Sequence, residues 1–151
     1  MDLVFVHRDS DSRSDIQRRT EISEAAECSD WPFQVVPLVP IQELEAWLLL
    51  SEDAIRNVAG RPSGRVDLGL PKPKDVENTS SPKEILAAAL LTASETRGQR
   101  HKAEKKKLSA RRRVLLERLD TDGPVNDLSS WSSLVADIQA AVDRLEPAFG
   151  S

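Results

Sequence analysis

Two short apolar, β-branched runs near the start of the chain give way to longer stretches whose apolar residues recur at helical spacing. Leu3-Val4-Phe5-Val6-His7 is the first run and predicts a buried strand. It is followed by Arg8-Asp9-Ser10-Asp11-Ser12, residues that favour turns and helix N-caps. Residues 13–28 carry only a thin apolar stripe of Ile16, Ile22, Ala25 and Ala26, which predicts a surface helix. Residues 33–39 predict a second strand, with Pro37 at an edge or an irregular end because proline cannot donate to a ladder. A strand, a helix and a strand in such close succession predict a parallel pair joined by a right-handed crossover.

Residues 41–50, Ile-Gln-Glu-Leu-Glu-Ala-Trp-Leu-Leu-Leu, predict a largely buried helix. Ser51-Glu52-Asp53 caps a second, short helix through Val58, which Gly60 ends. From Gly60 to Pro82 the chain holds four prolines and three glycines, so residues 61–80 read as a long loop, with Val66-Asp67-Leu68 as its one short strand candidate. Ser81-Pro82-Lys83-Glu84 has the form of a capping box and starts a helix that runs to about Ser94. Residues 99–119 predict a basic helix with a break near Ser109, and Asp120 to Pro124 a turn. A last helix begins at Ser129 or Ser130 and carries Trp131, Leu134, Val135, Ile138, Ala141, Val142 and Leu145 at helical spacing. The expected fold is therefore α/β: a small parallel sheet flanked by helices, with a helix-rich C-terminal half. Residues 1–60 form a partial α/β core, 61–80 the loop, and 81–151 a helical part of the same domain. Two strands are few for a parallel sheet, so a further strand upstream of Met1 is expected. So is an exposed sheet edge, open to a partner chain or a homodimer.

Composition narrows the chemistry. The chain has 151 residues, a hydrophobic fraction of 39% and a net charge of −4, which suits one soluble domain. Cys28 is the only cysteine, His7 and His101 are the only histidines, and tyrosine is absent. An internal disulfide, a cysteine cluster, a His-rich metal site and a tyrosine nucleophile are excluded. His7 reads as a packed strand residue, His101 as a surface residue, Cys28 as a residue without a role, and Trp31, Trp47 and Trp131 as packing. No apolar run is long enough to span a bilayer and no signal peptide is visible, so the expected location is cytoplasmic and away from membranes. The charge is segregated: residues 97–118 hold ten cations against Glu104 and Glu117, a local net of +8, and the rest carries −12. Such a cluster suits an anionic partner, while a solvated helix face is its plainer meaning.

Asp9-Ser10-Asp11 follows the first strand directly, where open α/β sheets bind ligands. Two carboxylates one residue apart can approach one hard cation such as Mg²⁺; equally, they can cap the following helix. Glu45 lies just past the second strand, at the same sheet edge, inside an apolar segment. A buried charge needs a partner: a shared cation would serve, and so would an ion pair with Arg8 or Lys83, unless the residue sits on an exposed helix face. Glu43 reads as a surface acid.

Strand, Asp-x-Asp, helix, strand and then Glu-Ala-Trp-Leu-Leu resembles the Toprim fold, and within it a group of uncharacterised bacterial Toprim-like proteins related to overcoming-lysogenization-defect nucleases. The resemblance implies that Asp9, Asp11 and Glu45 hold Mg²⁺ or Mn²⁺. It implies a metal-dependent phosphodiester hydrolase acting on nucleic acid, with Lys83, Arg100, Lys102, Lys105, Lys106, Lys107, Arg111, Arg112 and Arg113 on the phosphate backbone. Toprim domains open with a strand and a glutamate, and nothing but Met1 and Asp2 precedes the Asp-x-Asp strand here. The alternative is a catalytically inactive Toprim-like module that binds nucleic acid or a partner protein. A haloacid-dehalogenase-like phosphatase also opens with Asp-x-Asp, but Arg13 stands where its Thr or Val belongs.

Overall fold

A computed structural model describes residues 2–11 and 14–145. The end of the predicted C-terminal segment, 146–151, lies outside the described residues, as do Ser12 and Arg13. The chain is α/β. Strand β1 (Leu3–His7) pairs in parallel with β2 (Gln34–Leu38), in the register Leu3 to Gln34 through His7 to Leu38. Helix α1 (Ile16–Glu27) makes the crossover. It buries only Ile22 and leaves Ile16 exposed, as its thin stripe predicts. Pro37 pairs opposite Val6 in a two-stranded sheet, so β2 is an edge strand and tolerates the missing donor.

The predicted helix over 41–50 is shortened to α2 (Glu45–Leu48), a single buried turn. Its expected first residues are held outside helical geometry by the loop after β1. Ser10 Oγ accepts the N–H of Gln42 at 3.0 Å, and Asp9 Oδ1 accepts that of Leu44 at 3.3 Å. Gln42 is left-handed at φ 66°, a backbone state rare outside glycine. Helix α3 (Glu52–Ala59) has the expected cap, with Ser51 Oγ accepting from Ala54 N, and Gly60 ends it at φ 85°. The loop carries no strand at 66–68. Buried Leu68 and a 3-10 turn at Pro73–Asn78 fasten it, and the buried Arg56 binds the Val66 carbonyl at 2.6 Å.

Helices α4 (Pro82–Ser94), α5 (Gly98–Lys105) and α6 (Leu108–Glu117) follow, then a 3-10 turn at Pro124–Asp127 and α7 (Ser129–Leu145). The basic segment breaks at Lys106-Lys107, earlier than its sequence suggests. Two apolar clusters hold the molecule. One joins α2, α3, α4 and α6 through Leu48, Ile55, Leu86, Leu90 and Leu115. The other sets Val36 of β2 with Trp47, Val125, Leu134 and Ala141 against α7. Helix α2 and the Leu49 that follows it feed both: Ala46, Leu48 and Leu49 join the first, Trp47 the second. Trp47 meets Trp131 edge to face at 5.2 Å, as packing residues, whereas Trp31 is half exposed. No helix among the described residues is long and apolar enough to cross a membrane.

Candidate functional site

The carboxyl ends of β1 and β2 form one edge of the molecule, and short backbone bonds build it. Arg8 N donates to Leu38 O at 3.1 Å and Ser10 N to Pro40 O at 3.2 Å, so the two post-strand loops run side by side. Asp9 therefore lies against Leu44, one residue before Glu45. His7 Nε2 sits 3.2 Å from the same Asp9 oxygen; at 47% side-chain exposure His7 is a rim residue, not the packed one expected. Asp11 takes a left-handed backbone, is 74% exposed and, among the described residues, pairs with Arg18 at 4.0 Å.

Glu45 is the buried member of the site. Its side chain is 8% exposed, and its Oε1 accepts from Arg112 Nη1 at 2.6 Å. The expected burial is present; the partner is neither Arg8 nor Lys83 but an α6 arginine 67 residues on. Glu43, read as a surface acid, has a structural task. Its Oε2 accepts the N–H of Lys83 at 3.0 Å and so caps α4. Ser81, expected to do this, sits in a left-handed backbone and makes no side-chain cap bond.

Among the described residues no group of three or more His, Cys, Asp or Glu is arranged to hold a metal ion. Asp9 is engaged with a backbone amide and His7, Asp11 with Arg18, and Glu45 with Arg112. The three carboxylates do not share a centre in this conformation, so the donor set as it stands does not fit Mg²⁺.

The basic residues divide into two groups. Arg111 turns inward and pairs with the buried Glu104, which Lys107 also binds at 3.0 Å. Arg113 pairs along its own helix with Glu117. These are the two carboxylates already subtracted in the local net of +8. Arg100, Lys102, Lys105 and Lys106 are exposed on α5 and its end. Lys83 of α4, Lys105 of α5 and Arg112 of α6 line one groove of about 280 Å³, whose floor is Leu86, Ala87, Leu90 and Leu108. Glu45 meets this groove through Arg112.

Residues 2–143 match a family described as a domain of unknown function, DUF4276. The chain belongs to the DUF4276 family. No curated protein and no solved structure matches it. The match covers both strands, the groove helices and nearly all of α7, so the sheet edge and the groove lie within the DUF4276 domain.

A polar relay in this DUF4276 domain escapes sequence reading. Trp47 Nε1 donates to Ser130 Oγ at 3.0 Å, and Ser130 Oγ donates to Glu77 Oε1. Glu77 also accepts from Ser129 Oγ at 2.9 Å, Ser129 N at 3.2 Å and Ser130 N at 2.9 Å. A loop acid thus caps α7 from 52 residues away. The only local hint is the uncapped Ser129-Ser130 start.

Proposed function

We propose that this chain binds the phosphate backbone of nucleic acid across α4, α5 and α6. The observation that carries the reading is the groove lined by Lys83, Lys105 and Arg112, cations from three separate helices. Arg100, Lys102 and Lys106 extend the positive surface along α5. Residues 97–118 contain no aromatic side chain, so binding is electrostatic and tolerant of sequence rather than built on base stacking. Arg111 and Arg113, tied to Glu104 and Glu117, contribute less.

The test is binding of a labelled oligonucleotide as salt is varied. Lys83→Glu and Lys105→Glu are each expected to weaken binding for every sequence alike. Each also lowers the slope of log affinity on log salt by about 1. Affinity that ignores salt, or that both variants leave intact, refutes the proposal.

A second reading, Mg²⁺- or Mn²⁺-dependent phosphodiester hydrolysis by a Toprim-like domain, is favoured by one contact. Asp9 bonds Leu44 beside Glu45, whose arginine partner lines the same groove. It requires Asp9, Asp11 and Glu45 to exchange their present partners for a common ion. Divalent-dependent nicking that disappears in Asp9→Ala and Asp11→Ala supports it; no metal binding by calorimetry removes it. A cytoplasmic location is part of both readings.

A further inference from the structure

We propose that the outer edge of β1 pairs with β1 of a second copy of this chain, antiparallel and centred on Phe5, so that two copies share one four-stranded sheet. Gln34 N donates to Asp2 O at 2.8 Å, and Arg8 N donates to Leu38 O at 3.1 Å. In a parallel ladder alternate residues of a strand bond the neighbour. The even-numbered residues of β1 therefore serve β2, and Leu3, Phe5 and His7 turn their N–H and C=O groups outward. Among the described residues the two-stranded sheet ends at β1, and its substantial helix packing, from α1 and α7, falls on β2. Neither lysine nor proline guards this edge, and Phe5 is 50% exposed on it.

Symmetry and charge select the occupant. Centring an antiparallel pair on Phe5 places Leu3 opposite His7, Val4 opposite Val6 and Asp2 opposite Arg8 of the second copy, and the reverse on the other side of the axis. The outward-facing residues then meet only one another, as an antiparallel ladder demands. Asp2 and Arg8 are both exposed, and opposite charges directly across a ladder stabilise it while like charges oppose it. Successive side chains of a strand point to opposite faces, so Val4 and Val6 share one face of the sheet. On the opposite face Leu3 packs at the margin of the same cluster as Ile138 of α7, the helix that leaves Val135 and Val142 exposed. A two-fold pairing closes on itself and consumes the edge, so association stops at the dimer.

The experiment is sedimentation of the purified chain from micromolar to tenth-millimolar concentration, with circular dichroism as the check on folding. A dimer is expected. Phe5→Pro deletes an outward N–H and leaves the ladder to β2 intact, so it raises the dimer dissociation constant at least ~tenfold with an unchanged spectrum. Asp2→Arg and Arg8→Asp each weaken the dimer by setting like charges opposite, and the double variant recovers to within about threefold of the parent. The charge exchange decides the matter should Phe5→Pro unfold the protein. A monomer at every concentration overturns the proposal, as does a double variant no better than the singles.

Discussion

Removing Arg112 tests whether Glu45 is held as an ion or merely enclosed. The carboxylate is the buried partner, at 8% exposure, and the guanidinium is 47% exposed. Arg112→Ala strands a negative charge beneath α6; Glu45→Gln leaves a cation that water can reach. Breaking a fully buried pair costs about 3–5 kcal/mol. The half-exposed arginine lets solvent screen the pair, so the expected loss for Arg112→Ala is about 2 kcal/mol. For a domain of this size that lowers the melting temperature by roughly 4–8 °C. Glu45→Gln should cost about 1 kcal/mol, because its amide oxygen still accepts from Arg112. Urea unfolding followed by tryptophan fluorescence gives both numbers, and an unchanged slope on urea shows that the end states are unaltered. A loss below about 0.5 kcal/mol for Arg112→Ala, or a larger loss for Glu45→Gln than for Arg112→Ala, refutes the argument.

Two further predictions concern partners far apart and close together. Glu77→Ala removes one acceptor from four donors on Ser129 and Ser130, and is expected to cost about 3 kcal/mol and to change the emission of Trp47; an unmoved unfolding midpoint contradicts this. The Glu21 carboxyl is held below its usual range, first by its hydrogen bond from Arg18 and then by Arg18's charge. Its folded pKa being depressed, its contribution to stability is present above the unfolded pKa and is lost as pH falls through the folded one. A carbon-detected NMR titration should find Glu21 below the ordinary glutamate range and shifted upward in Arg18→Ala, and an identical titration in both proteins contradicts the cause.

The strands, α3 and α7 were legible because local pattern and tertiary demand coincide there. Leu3–His7 is apolar and β-branched, and Ser51 and Gly60 cap α3 as their types dictate. The misread segments are those where a distant side chain takes over the backbone. Residues 41–44 have helical propensity, yet Asp9 and Ser10 capture the amides of Leu44 and Gln42 and delay the helix to Glu45. Ser81 has the form of an N-cap, yet Glu43 supplies the acceptor. At the candidate site, sequence located the acid that needed a partner but not Arg112, because burial is visible as apolar flanks whereas a contact 67 residues away is not.

The same limit governs the basic segment. A local charge of +8, which already subtracts the Glu104 that draws Arg111 inward, still overstates what a polyanion can meet, since Glu45, from outside the segment, draws Arg112 toward the protein. The proposed phosphate binding then rests mainly on α5 and Lys83, with α6 acting as the wall that closes the groove. Arg112 is the exception, because it both lines the groove and neutralises Glu45. On the proposed binding, its substitution is expected to lower affinity and stability together, and that of Lys105, exposed and without a carboxylate partner among the described residues, to lower affinity alone. That contrast separates a built anion site from a charged helix face: in a merely solvated face, neither residue would couple the two quantities.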